Sequence, residues 1–245
     1  DDGSLLRSFE GAAVAAIVRP ALDACSFAPA PGEDDLAKKM RALVITAVAR
    51  VLPEDPAVVK EARQRFEAWL KDPASNAVLP DDLKASAFRI VLRNARDDKA
   101  YMELRRHAKR ASTPQAVRLS IFSALGSHRD PKLRQRTLAS ALGGPGGVRL
   151  QDVMVPVQGV ARADPEGARL VWSWFVQRHG ALRRRVLGAN VRLFGAVINA
   201  AASGIPDALH AAEVEEFFKE HPVPGLGRSI AQAVEAIRSE AALVA

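Results

Sequence analysis

The sequence predicts an all-α protein, a superhelical stack of antiparallel helix pairs with about twelve helices. Three observations predict it. Apolar residues recur at helical spacing along nearly all of the 245 residues, the turns between those stripes are short and marked by proline, and no useful period-two run occurs. Composition agrees: hydrophobic residues make up 48% but aromatics only 5%, a balance that favours helix packed on helix. Stacked helix pairs of this kind form HEAT- or armadillo-like α-solenoids, although no pair here overlays the next by residue identity.

The elements follow in order. Leu36, Met40, Leu43, Val44, Ala47, Val48 and Val51 form the first clear stripe. Pro53 and Pro56 close that helix and open the next, whose stripe is Val58-Val59, Ala62, Phe66, Trp69 and Leu70 before Asp72-Pro73 ends it. Pro80-Asp81-Asp82 starts a helix, with one acid expected at the cap and one in the first turn. Leu83, Ala87, Ile90 and Val91 share its apolar face. Thr113-Pro114, Asp130-Pro131 and Asp164-Pro165-Glu166 read as caps with proline at the first helical position. The last of these leads into Leu170, Trp172, Trp174 and Phe175, with Trp172 expected in the core and Trp174 at a seam. Pro206-Asp207 and Pro222 to Pro224 set off the final helices, and Gly143 to Gly147 reads as a flexible loop inside one domain.

Several chemistries find no support. The five histidines, at 107, 128, 179, 210 and 221, include no pair at i, i+3 or i+4, the spacing that a helical zinc site needs. In FFKEHP, Phe217 to Pro222, the final Glu-His resembles the end of H-x-x-E-H, but Phe217 stands where a ligand would be. The stretch reads as the end of an amphipathic helix, with Phe217 and Phe218 inward and Lys219 and His221 complementing the C-terminal dipole. No G-x-S-x-G elbow or G-x-x-x-x-G-K-[ST] loop occurs, and the pairs Asp81-Asp82 and Asp97-Asp98 sit where helices begin, where capping explains them. The single Cys25 excludes an intrachain disulfide and fits a reducing compartment. No apolar run is long enough to span a membrane, and Gly11 to Val18 is too short for a signal peptide.

The net charge is +7, and residues 89–136 hold thirteen Lys or Arg against four Asp or Glu. Arg105, Arg106, Lys109 and Arg110 are the densest part and read as the positive lining of a helical surface suited to an anionic peptide end. Nucleic acid fits less well, because Tyr101 and Phe122 are the only aromatics in that region for base stacking. A solvated helix face is the plain alternative.

One set of motifs carries more than helix grammar. Residues 155–182, VPVQGVARADPEGARLVWSWFVQRHGAL, resemble a stretch near the C-terminus of the M1-family zinc aminopeptidases, the fungal alanine/arginine and puromycin-sensitive branch above all. PGEDDL (31–36), EARQRFEAWL (61–70), LPDDLKASAFRIVL (79–92) and EVEEFFKEHPVPGLGRSIAQAVEAI (213–237) resemble the same family in the same order. The resemblance implies that residues 1–245 are a single C-terminal helical domain, incomplete at its N-terminus. It implies no catalytic or metal residues in this chain, since the family's H-E-x-x-H zinc motif, G-x-M-E-N loop and catalytic tyrosine belong to a preceding domain. Zinc is expected in that parent catalytic domain, with the domain itself and peptide substrates as partners and the cytoplasm as location. Gln158 and Arg162, four apart and so on one helix face, correspond to a Gln-x-x-x-Arg that a related branch points at its catalytic cavity; puromycin-sensitive members have glycine at both. Arg162 is expected either to offer fixed charge to a substrate carbonyl or carboxylate, or to make an interdomain or capping contact. A free-standing helical scaffold that binds peptide or protein, and a basic nucleic-acid binder, remain the other readings.

Overall fold

The computed structural model describes residues 16–25, 27–28 and 32–244. The expectations on Gly11 to Ala15 and on Pro31 therefore lie outside the described residues. Among the described residues the chain is all-α, with twelve α-helices and no strand. Residues 16–25 are helical and are called α1. There follow α2 (Asp35–Val51), α3 (Pro56–Lys71), α4 (Asp81–Arg93), α5 (Lys99–Lys109), α6 (Gln115–Leu125) and α7 (Pro131–Ala139). The chain continues through α8 (Met154–Ala161), α9 (Pro165–Leu182), α10 (Val191–Ala202), α11 (Ala208–Glu220) and α12 (Gly227–Val244). Two compact units divide between Ala124 and Leu125, at the end of α6 and well before the glycine run.

Aspartates cap five of these helices. Asp34, Asp55, Asp130, Asp164 and Asp207 each accept a hydrogen bond from a first-turn backbone N–H, and Asn190 does the same for α10. Each satisfies a donor that the helix leaves without a partner. Pro56, Pro131 and Pro165 occupy the first turn, as their sequence context predicts.

Three expected caps differ. The N-cap of α4 is Pro80, so Asp81 and Asp82 both fall in the first turn; Asp81 instead holds the buried Lys84, which also donates to Asn76 Oδ1 at 2.7 Å. That contact lowers the Asp81 pKa. At α5 the Asp98 side chain makes no capping bond, and Asp97 accepts from the Lys99 N–H at 3.2 Å. Thr113 donates its hydroxyl to the His107 carbonyl at 2.6 Å, fastening the end of α5 rather than the start of α6.

In the first unit α4 packs against both α2 and α3. Its core gathers Val58, Ala62, Phe66 and Trp69 of α3 with Leu83, Ala87, Phe88 and Ile90 of α4. Trp69 lies 4.8 Å from Phe88 and 4.8 Å from the buried His107, centroid to centroid. On α2 the expected stripe is rotated. Leu36, Met40 and Leu43 are exposed, at 70%, 49% and 65%, while Val44, Ile45, Val48 and Ala49 are buried. The cause is Arg41, which is buried on the inward face because its guanidinium pairs with the enclosed Glu33.

In the second unit α8, α9, α10 and α12 surround one core in which Trp172, Trp174, Phe175, Phe194 and Phe218 are buried. The run Gly143 to Gly147 belongs here, and it is tied rather than loose. Arg185 donates to the Ala141 carbonyl at 3.1 Å and the Val148 carbonyl at 3.0 Å, bracketing the glycines. Gly143 has φ +82°, and a Cβ there would lie 2.3 Å from the Arg185 guanidinium. Arg185 reaches the loop from a π-helical turn, Arg183–Leu187, that extends α9.

Candidate functional site

The second unit places Gln158 and Arg162 together in one pocket of about 360 Å3, formed by the C-terminal ends of α8 and α10. Gln158 is half-buried on α8, and Arg162 is the exposed C-cap, its backbone N–H bonded to the Gln158 carbonyl at 3.0 Å. Across from them stand Asn199 and Ser203 of α10, with Ala161, Ala196 and Ala200 between. No side-chain ion pair or hydrogen bond engages Arg162 among the described residues, so its planar fork of donors is available to a carboxylate or carbonyl.

Close backbone packing fixes this pocket. A Cβ on Gly126 would lie 2.4 Å from the Gly159 carbonyl carbon, and one on Gly167 would lie 2.2 Å from the Val160 oxygen. Only hydrogen fits at either place, so α8 is seated directly on its neighbours' backbone. Gly204 ends the α10 turn at φ +84°. The turn between α8 and α9 is held by Asp164, which caps Gly167 N at 2.8 Å and receives both terminal nitrogens of Arg134 at 2.8 and 2.6 Å. Arg134 is almost wholly buried and also donates Nε to the His128 carbonyl at 2.7 Å.

A second pocket of about 230 Å3 adjoins the first and shares Asn199 and Ser203 with it. Its far side is α12, with Ser229, Gln232 and Glu240. Sequence reasoning missed Asn199, Ser203 and Gln232 because single polar residues on an amphipathic helix carry no motif. Their i, i+4 placement becomes informative only once α8, α10 and α12 are packed.

FFKEHP ends α11 as its pattern predicts. Phe218 is buried, and Phe217 lies 5.6 Å from Trp172 and 5.1 Å from His179. His221 is the C-cap: its backbone N–H donates to the Phe217 carbonyl at 2.9 Å, its Nδ1 lies 3.0 Å from the same oxygen, and its ring stacks on Phe217 at 4.4 Å. Lys219 pairs with Glu216 at 3.2 Å. His179 is buried with no hydrogen-bond partner at Nε2, and burial, then His221 and Arg183, push its pKa down to about 4. Among the described residues no three His, Cys, Asp or Glu side chains come together to hold a metal ion.

The basic residues lie in the first unit and are engaged locally. Arg106 pairs with Glu103, and Arg105 is half-buried with a partner of its own. Arg110 and Lys109 are exposed; Arg110 Nη1 lies 3.3 Å from His107 Nδ1, and its carbonyl accepts from Arg118 at 3.0 Å. The His107 pKa is lowered by burial and then by the Arg110 and Arg106 cations.

Residues 4–239 match the profile of the ERAP1-like C-terminal domain. Aminopeptidase M1 of Arabidopsis thaliana is 30% identical over 214 residues, covering 87% of this chain and 23% of the relative. Aminopeptidase 2, mitochondrial, of Saccharomyces cerevisiae is 32% identical over 51% of this chain and 13% of its own length. The alanine/arginine aminopeptidase of the same yeast is 24% identical over 86% of this chain and 24% of its own. The chain thus spans about a quarter of the length of the Arabidopsis protein and of the alanine/arginine enzyme. No helix among the described residues is long and apolar enough to cross a membrane. A match over nearly the whole chain, on an all-α fold, means that this protein belongs to the ERAP1-like C-terminal domain family found in M1 aminopeptidases.

Proposed function

We propose that this chain is the non-catalytic C-terminal domain of a zinc aminopeptidase. In this reading it covers the active site of a preceding catalytic domain, limits which peptides enter, and leaves zinc and bond cleavage to that domain. A site closed off from bulk water strengthens polar contacts and sorts substrates by length and shape. The observation that carries the reading is the pocket shared by Gln158 and Arg162, in a chain whose relatives are aminopeptidases. Arg162 offers its charge to the peptide, at a backbone carbonyl or the terminal carboxylate, and Gln158 orients the same segment. The lone Cys25 is unpaired, and the cytoplasm is the compartment proposed, although one yeast relative is named as mitochondrial. The nucleic-acid reading is weakened by the local engagement of Arg105, Arg106 and Arg110.

The test is Arg162→Ala in the full-length enzyme, assayed on peptides of graded length. A lost charge-assisted contact of about 1.4 kcal/mol lowers kcat/KM roughly tenfold for peptides long enough to reach it. Arg162→Lys falls between, because it keeps the charge and loses the fork. Unchanged kcat/KM at every length overturns the role of Arg162.

A further inference from the structure

The turn between α5 and α6 reads Lys109-Arg110-Ala111-Ser112-Thr113-Pro114, and all of it but Thr113 is exposed. The chain leaves the helix at Arg110, whose φ of −68° and ψ of 133° are extended. Two hydroxyls stand side by side in this turn, and they differ. Thr113 is half-buried and donates to the His107 carbonyl at 2.6 Å. The Ser112 hydroxyl is exposed and has no hydrogen-bond partner among the described residues. Lys109 and Arg110 occupy the third and second positions ahead of it, exposed and outside any ion pair among the described residues. Thr137 also has arginines close ahead of it, at 134 and 136, but it is fully buried. Paired cations just before a free hydroxyl, on a chain that can be drawn out straight, are what a kinase with an acidic substrate groove selects.

The surroundings suit the product as well. Arg118 reaches back from α6 to both sides of Ser112: its Nη2 donates to the Arg110 carbonyl at 3.0 Å and to the Thr113 carbonyl at 3.4 Å. Its Nε is buried with no partner. Helix α6 begins three residues after Ser112, and a helix N-terminus favours negative charge. A phosphoserine brings roughly two negative charges and three strong acceptor oxygens. A guanidinium with a donor to spare and the first turn of a helix can both take them.

We propose that Ser112 is a phosphorylation site for a kinase that selects cations ahead of serine, and that the phosphate locks the α5–α6 turn through Arg118. In the transfer the Ser112 Oγ attacks the γ-phosphorus of ATP, and an O–P bond forms as that phosphorus parts from the oxygen bridging it to the β-phosphate. ADP leaves with the electron pair of the broken bond, and the hydroxyl proton passes to the catalytic carboxylate of the kinase. The proposal does not draw on the role of Arg162.

The experiment incubates the full-length enzyme with ATP, magnesium and the purified catalytic subunit of a serine/threonine kinase of this selectivity, and maps phosphate by mass spectrometry. Phosphate at Ser112 is expected, and Ser112→Ala does not acquire it. The double variant Lys109→Gln, Arg110→Gln is modified about tenfold more slowly, because the acidic groove no longer draws the turn in. All three positions are exposed, so these changes leave the core untouched. Phosphate on Thr113 in place of Ser112, no phosphate on the turn, or an unchanged rate in the double variant overturns the site. Amide hydrogen exchange across residues 111–117 then tests the lock. It is expected to slow about tenfold on phosphorylation, and Arg118→Gln still accepts phosphate but loses the slowing. Exchange that phosphate leaves unchanged, or slows equally in Arg118→Gln, overturns the lock.

Discussion

Arg134 and Asp164 form a two-pronged ion pair in which the cation is buried and the carboxylate still caps the next helix. The arrangement is asymmetric, because Asp164 retains some exposure and a backbone donor at Gly167 while Arg134 has little other recourse. Asp164→Ala is expected to cost about 3–5 kcal/mol by stranding a buried charge. Arg134→Met, which keeps volume and leaves the cap in place, costs clearly less. Urea unfolding of both variants and of the double variant measures the difference. Equal losses from the two single changes would contradict the asymmetry.

His179 makes stability depend on pH. Its folded pKa is lowered to about 4 by burial, with His221 and Arg183 adding to the effect, whereas an unfolded histidine titrates near 6.5. The folded state therefore refuses a proton that the unfolded chain accepts between those values. Its contribution is fully present above pH ~6.5 and is lost progressively as pH falls toward ~4. His179→Phe flattens that part of the profile, read as the urea midpoint against pH. A slope identical to wild type would show that another group carries the dependence.

The glycines can be sorted by what surrounds them. Gly126→Ala places a Cβ 2.4 Å from the backbone of Gly159 and Val160, which forces α8 to move and costs about 1–3 kcal/mol or more. Gly227, at the start of α12, has nothing within 4 Å and no positive φ. Gly227→Ala is expected to be neutral or to stabilise by about 0.4–1 kcal/mol. Thermal unfolding decides both, and a stable Gly126→Ala would mean that α8 is not seated as described.

Arg185→Ala frees the loop between Ala141 and Val148. Two carbonyls lose their donors and the guanidinium no longer fills the space beside Gly143. Limited proteolysis is expected to cut within residues 143–147 several times faster than in wild type. An unchanged cleavage rate would return this run to the free loop its composition suggests.

Much of the fold was legible in local chemistry. Asp-Pro pairs at 55, 130 and 164 state where helices begin, because capping and a fixed φ act within a few residues. The α4 face and the core position of Trp172 were legible in the sequence, whereas Trp174, expected at a seam, is buried in the same core. The α2 stripe failed because Arg41 is drawn inward by Glu33, a residue just ahead of the helix, and no helical period encodes that pairing. Thr113 failed for a related reason: a hydroxyl can serve either neighbour, and packing chose His107. Gln158 and Arg162 were found through resemblance and spacing, whereas Asn199 and Gln232 needed three helices in place before they shared a surface.

The π turn at Arg183–Leu187 has an evolutionary corollary. Such a turn amounts to one surplus residue absorbed inside a helix. Because the surplus is absorbed within the turn, excising a single position here would restore ordinary winding and leave the residues on either side near their present faces. Only the residues of the turn itself are re-aimed, and Arg185 is one of them, so a chain shortened here needs a different staple for the glycine run.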